Sequence, residues 1–448
     1  MKNLKYKIIS YGCQMNDLDS EMIAGLVEEM GYQSTEDEHD ADLIIMNTCC
    51  VRQTAEQRAI GRLTKLKPLK LKNPDLIIVF AGCIAQKDKE TILKRFPFVD
   101  IVIGTRDIQF LPQYFQQILS NRESICSIHH IDDNHLILST PKRKHKIKAL
   151  VTIMFGCNNF CSYCIVPYVR GKEVSRPADE IIDEIKKLAD EGYKEVTLIG
   201  QNVNSYSYQN INFPKLLELV NNKTDIQRIR FITSHPKDVS DDLIFAIRDL
   251  PKVCEHIHLP AQAGSNKILK LMNRSYTREH YLELIEKFRA NIPNIAITTD
   301  MIMGFPSEAE DDFEQTLDLL QKVKWDMSFS FVYSIRKGTK SAELVDDIPY
   351  EIKKCRLDRY NKLQDKISLE KNQLLLNKTV EVLIEGISKK RNYEMMGRTR
   401  ADKVVILKGN ESQVGSILNI KVKDVAMHTL FGEDSEASKI KQYNIANK

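Results

Sequence analysis

The chain has 448 residues, 42% of them hydrophobic and 28% charged, with a net charge of +4. That balance excludes a disordered chain and a chain buried wholly in lipid, and the length leaves room for roughly three domains of about 100–200 residues. No apolar run reaches the about 20 residues that cross a bilayer, and "MKNLKYKIISYGC" lacks a signal peptide's apolar stretch; a cytoplasmic protein without a membrane partner is expected.

Over residues 3–120 short apolar runs alternate with helical patterns, "YKIISYG" before "DSEMIAGLVEEMGY" and "DLIIVFAG" before "IAQKDKETILKRF". This predicts an N-terminal open parallel α/β domain. Residues 121–142 read as a linker, running into the basic stretch "PKRKHKIK" (141–148). Over 143–373 six further strands are predicted: "ALVTIMF", "KEVTLIG", "RIRFITS", "EHIHLP", "IAITTDMIMGF" and "SFSFVYS". With intervening helices they predict a partial (βα)6 barrel whose site lies at the strands' carboxyl ends. Short β-like runs over 374–437 predict a small C-terminal β-barrel of the nucleic-acid-binding kind, and 438–448 form a tail. Residues 371–448 carry fourteen Lys/Arg against nine Asp/Glu, a balance that suits a polyanion partner or, equally, a lysine-rich surface.

Ten cysteines in a reducing compartment point to metal ligands or reactive thiols before disulfides. In "GCNNFCSYC" Cys157, Cys161 and Cys164 follow the first barrel strand, where such folds do chemistry. Iron–sulfur cubanes take four thiolates, so three leave one iron open; a structural zinc is the competing reading and wants a fourth ligand. Cys13, Cys49 and Cys83 each follow a strand of the N-terminal domain, which predicts a second convergent set at one sheet edge. Packing cysteines are the alternative there. Cys50 adjoins Cys49, which comes first after its strand and is preferred; Cys126, Cys254 and Cys355 read as packing residues. Gln201 and Asn202, Ser234 and His235, and Gln262 fall at barrel strand ends, where ligand contact and turn formation compete. Arg170 and Arg176 face either a charged ligand or a carboxylate, while Tyr168 and Phe160 read as packing residues.

"GCNNFCSYCIVPYVRG", with "YGCQMNDLDSE", "NTCCVR", "GCIAQ", "LIGQNVNSY" and "GRTRADKVV", resembles the radical S-adenosylmethionine methylthiotransferase family, collinearly over most of the chain. The resemblance implies a radical-SAM core, a TRAM domain as the C-terminal barrel, and two 4Fe–4S clusters. Cys157, Cys161 and Cys164 would hold the cluster that binds S-adenosylmethionine, and Cys13, Cys49 and Cys83 an auxiliary one. Gln201, Ser234, Gln262 and Gly304 are the cofactor-binding candidates, and Arg398 and Arg400 the tRNA-binding ones. No side chain receives an acid, base or nucleophile role, because the cofactors carry the hard step.

The motifs resemble most the branch acting on N6-(dimethylallyl)adenosine next to the anticodon, rather than on threonylcarbamoyladenosine. A tRNA substrate, an electron donor such as a flavodoxin or ferredoxin, and a monomer are expected. A zinc-stabilised RNA-binding protein is the non-enzyme alternative. Ser307, Ala263, Ile335 and Lys337 depart from the family pattern, and a cofactor contact that needs glycine at 307 is the one these put in question.

Overall fold

The computed structural model describes residues 3–50, 53–129, 140–388 and 394–434. Strands β1 (Lys5–Ser10), β2 (Gln33–Ser34), β3 (Leu43–Thr48), β4 (Ile77–Gly82), β5 (Ile101–Ile103) and β6 (Ile125–Ser127) form one sheet, ordered β2-β1-β3-β4-β5-β6 and parallel throughout. Every residue of β3 and β4 is buried, as expected of central strands covered by helices on both faces. Strand order reverses between β1 and β3, and a crevice for ligands opens at the carboxyl ends of such a pair. Cys13 follows β1 and Cys49 follows β3, so both stand at that crevice.

Ile125–Ser127 was expected to be linker and instead adds the sheet's edge strand, with Ile125 N–H donating to the Asp100 carbonyl (2.8 Å). Three residues are too few to display a period of two, so pairing rather than pattern defines this strand.

The central unit opens with β7 (Lys148–Thr152), and β8 (Met154–Phe155) pairs with β9 (Val174–Ser175) at its rim. Strands β10 (Glu195–Ile199) and β13 (Arg228–Phe231) pair in parallel with β7 as β13-β10-β7; β11 (Ser207–Tyr208) and β12 (Ile211–Asn212) form a side hairpin. A second parallel group, β14 (His256–His258), β15 (Ala296–Met303) and β16 (Met327–Val332), continues the arc. The Ile229–Val253 bridge and the Ser234 N–H to His258 carbonyl bond (3.4 Å) join the halves. All six predicted barrel strands are present, in chain order, as an open barrel.

Alternate residues separate its two faces. Val151, Val196, Leu198, Ile229, Ile257, Ile297 and Met301 pack outward in the main apolar core, while Glu195, Arg230, His256 and Thr298 are buried on the other face. The outer helices begin at side-chain caps: Asn212, Ser240 and Thr277 accept from Lys215, Leu243 and His280 N–H groups at 3.0, 3.2 and 3.2 Å.

Strands β17 (Thr379–Ile387), β18 (Glu394–Thr399), β19 (Val404–Lys408), β20 (Ile417–Val425) and β21 (Thr429–Asp434) close a small barrel around Val382, Ile384, Val405, Val422 and Leu430. The tail 438–448 lies outside the described residues. Among those described, no helix is long and apolar enough to cross a membrane.

Candidate active site

The loop after β8 is built to hold three thiols. Gly156 at φ +74° carries the turn, and a Cβ there would lie 2.0 Å from the Lys172 carbonyl oxygen, so only glycine fits. Cys157 N–H donates to the Gly171 carbonyl (3.0 Å) and Cys164 N–H to the Cys161 carbonyl (2.9 Å). Ser162 anchors the loop's middle through its N–H to Met272 (2.9 Å) and its hydroxyl to Leu271 (2.8 Å). Burial pushes the Cys157 thiol up to about 11 and the Cys164 thiol up to about 12. Thiolates there require compensating positive charge, which a metal cluster provides.

Cys13, Cys49 and Cys83 meet at the carboxyl edge of the first sheet. The Cys49 thiol hydrogen-bonds with both Cys13 and Cys83, whereas Cys50 reaches only Cys83. This central position favours Cys49 over its neighbour. The hydrogen bond from Cys49 lowers the Cys13 thiol to about 6, aided by the Arg170 guanidinium against the cost of burial. Hydrogen bonds from Cys49 and Cys50 hold Cys83 well below the usual thiol range. The same hydrogen bonds, with burial, push the Cys49 thiol far up, and Cys50 likewise, so Cys13 and Cys83 are the ionisable members of the group; thiols that converge in this way fit a metal cluster better than inert packing. Among the described residues, no three His, Cys, Asp or Glu side chains close around a single metal-ion position.

Two arginines tie the cysteine sets together. Arg170, on the helix Val166–Arg170 just after Cys164, is buried with Asp19 of the N-terminal domain (2.7 Å) and reaches Cys83. Arg336, beyond β16, donates to the Cys50 carbonyl (2.5 Å). Burial lowers its guanidinium, opposed by the thiols of Cys50, Cys164 and Cys49, so one side chain stands between both sets. Arg274 donates to the Cys161 sulfur (3.5 Å) and to the Pro260 carbonyl (2.8 Å). Neither Arg274 nor Arg336 stands out in the sequence, since only folding brings them to the thiols.

Polar atoms without partners mark the first half of the barrel. Both amide atoms of Gln201 and the Ser234 hydroxyl are buried and unpaired, a cost that a polar ligand would remove. Gln262, 8% exposed, sits at φ +70° and pairs with Met301 across β15. These residues fit S-adenosylmethionine, whose amino and carboxylate groups need donors and acceptors.

Gly304 is different: its φ is +73°, but a Cβ there would meet the Lys353 side chain at 2.3 Å. Helix packing therefore already accounts for glycine at this candidate cofactor position. Ser307 adopts φ +67°, which explains a glycine preference by backbone conformation alone. Asn202 donates to the distant Asp238 (2.8 Å) and leaves its buried Oδ1 unpaired, whereas His235 accepts from Lys237 N–H (3.2 Å) in a turn-forming role. Arg176 pairs with Glu184 (2.8 Å). Phe160 and Tyr168, expected to pack, are each 41% exposed beside the cysteine loop, edge to face at 6.1 Å.

Arg398 and Arg400 are occupied within the chain. Arg400 makes a bidentate pair with Glu255 (2.7 and 2.8 Å), and Arg398 bonds Asp402 (3.1 Å).

An open six-stranded parallel barrel with three thiols after its first strand, fused to a small β-barrel, defines a radical S-adenosylmethionine protein. Residues 151–320 match the Radical SAM superfamily, 5–104 the family described as "Uncharacterized protein family UPF0004", and 373–433 the TRAM domain. The chain is 52% identical over 438 residues to the tRNA-2-methylthio-N(6)-dimethylallyladenosine synthase of Thermoanaerobacter pseudethanolicus, covering 96% of this chain and 93% of that one. It is 48% identical to the same-named protein of Clostridium botulinum strain Okra, covering 96% and 97%. The chain belongs to the tRNA-2-methylthio-N(6)-dimethylallyladenosine synthase family. Among solved structures it is similar to the radical S-adenosylmethionine methyltransferase TsrM of Kitasatospora setae (TM-score 0.53, 12% identity, 74% of this chain and 75% of that one). It is also similar to the cobalamin-dependent S-adenosylmethionine radical enzyme OxsB (TM-score 0.50, 14% identity, 82% and 56%). At such identities these two speak for the fold alone.

Proposed function

We propose that this protein inserts a methylthio group at C2 of N6-(dimethylallyl)adenosine, next to the anticodon of tRNA. Full-length identity to synthases of that name supports the reaction. The observation that carries it is the convergence of cysteines from both sets on Arg336. Cys157, Cys161 and Cys164 would hold the 4Fe–4S cluster that takes S-adenosylmethionine, and Cys13, Cys49 and Cys83 would hold the auxiliary one. Bound together, these groups would supply radical hydrogen abstraction and the methylthio unit, because adenine C2–H is neither acidic nor electrophilic enough for side-chain catalysis.

The side chains bind and orient. Gln201 and Ser234 offer their unpaired buried atoms to the polar end of S-adenosylmethionine. Arg274 places a donor on the Cys161 sulfur, which draws charge from that thiolate. Arg170 and Arg336 put fixed positive charge beside ligands that become anionic, and span the two domains so that the cysteine sets keep one separation. The TRAM domain supplies backbone contacts to tRNA through its basic balance. A flavodoxin- or ferredoxin-type donor, a monomer and a cytoplasmic location complete the reading.

The test is anaerobic reconstitution followed by incubation with prenylated and unmodified tRNA, with nucleosides read by mass spectrometry. Methylthiolated product from the prenylated tRNA alone is expected. Product from threonylcarbamoylated tRNA instead would assign the sister activity, and stoichiometric zinc without iron would end the enzyme reading. In the same preparations Cys50→Ala keeps the iron content of the wild type, and Cys49→Ala loses part of it.

A further inference from the structure

We propose that the inward face of β14, β15 and β16 is the subsite for the target adenine, with Phe329 stacking on the base and Asp300 accepting its N6–H. This rests on the RNA-modifying reading above and names its substrate contacts. Strand register places the residues together: His258 lies opposite Thr298, and Asp300 opposite Phe329. Met301 and Ile297 point into the outer core, so Thr298 and Asp300 share the inner face. Phe329 is 45% exposed on β16, the edge strand of its sheet. An aromatic ring left open on a barrel's inner wall is a platform for a planar ligand.

A relay holds the carboxylate ready. His256 Nε2 faces the Thr298 hydroxyl at 3.3 Å, that hydroxyl faces His258 Nδ1 at 2.9 Å, and His258 Nε2 lies 3.5 Å from Asp300. If each neutral imidazole carries its proton on Nε2, the whole chain donates in one direction toward Asp300. The His258 ring also meets Phe329 edge to face at 6.0 Å, fixing the platform. Asp300 keeps a third of its side chain exposed, so lone pairs remain for a ligand. After prenylation N6 retains one hydrogen, which matches one acceptor.

The Asp300 carbonyl accepts from Gln262 N–H (2.9 Å). Gln201 and Ser234 lie on the opposite half of the same arc. The base subsite adjoins the cofactor candidate Gln262 through the backbone bond to Asp300.

The test compares two anticodon stem–loop RNAs, one carrying the prenylated adenosine and one abasic there, bound to the reconstituted enzyme at fixed salt. The wild type should bind the first more tightly. Asp300→Asn and Phe329→Ala should each reduce that preference by about fivefold or more while binding the abasic RNA as the wild type does, and Phe329→Tyr should retain it. Iron per chain confirms that each variant is folded. Full preference in both variants, or equal losses on the abasic RNA, would overturn the subsite. If the wild type methylthiolates only threonylcarbamoylated tRNA, the proposed substrate falls, and the same pair of RNAs carrying that base judges the subsite.

Discussion

Ser307 shows how much one backbone angle explains. A side chain at φ +67° costs about 1 kcal/mol against glycine, partly offset by glycine's larger entropy when unfolded. Ser307 N–H donates to Asp347 (2.8 Å) and its carbonyl accepts from Lys267 (2.7 Å), bonds that glycine would keep. Ser307→Gly should therefore raise the melting temperature slightly, by up to about 1 kcal/mol of stability, with iron content unchanged. A fall in melting temperature would show that the serine side chain contributes more than its strain costs. The cysteines stand at the other extreme: their identity and their places after strands make them cluster candidates in the sequence, because thiolates are the ligands such a cluster takes. Arg274 and Arg336 were not legible, since an arginine has many uses and its partners lie far along the chain.

At the scale of elements, the β18–β19 hairpin docks the C-terminal barrel onto the amino-terminal end of the open one. Arg230, buried with Glu195 (2.9 Å), donates to the carbonyls of Thr399 (2.5 Å) and Arg400 (2.7 Å). Arg228 donates to the Arg398 carbonyl (2.9 Å), and Lys403 pairs with Asp326 (3.1 Å). "GRTR" looks like a phosphate-binding tetrapeptide in sequence, but folding spends its arginines on Glu255 and Asp402. The salt dependence of tRNA binding should thus have the same slope for Arg400→Gln as for the wild type. A slope shallower by about one would restore a phosphate contact. Arg230→Ala leaves Glu195 buried without its partner, which costs about 3–5 kcal/mol. Faster proteolysis between core and TRAM domain should follow, and unchanged cleavage would exclude the docking role.

Across the whole molecule, buried histidines set the response to acid. Burial, with Arg274 and Lys237 nearby, pushes His235 down to about 2, and burial pushes His256 down to about 4. Both stay neutral in the folded chain, while the unfolded chain protonates them below about pH 6.5. Their contribution is whole above that pH and falls as pH drops from 6.5 toward 4, further still for His235. Melting temperature should decline over that window, and His235→Gln with His256→Gln should flatten the decline. An equally steep acid limb in the double variant would place the sensitivity elsewhere.

The sequence by itself determined the three-part architecture and the six barrel strands, because periodicity is a local property that survives unfolding. Tertiary structure alone decided the rest. It added Ile125–Ser127 to the sheet, turned Arg398 and Arg400 inward, and left Phe160 and Tyr168 exposed. It also set Asp300 beside Phe329 and placed Arg336 between two thiol sets. Each of these depends on which distant strand or loop lies opposite, and register between distant segments is fixed only when the whole core closes.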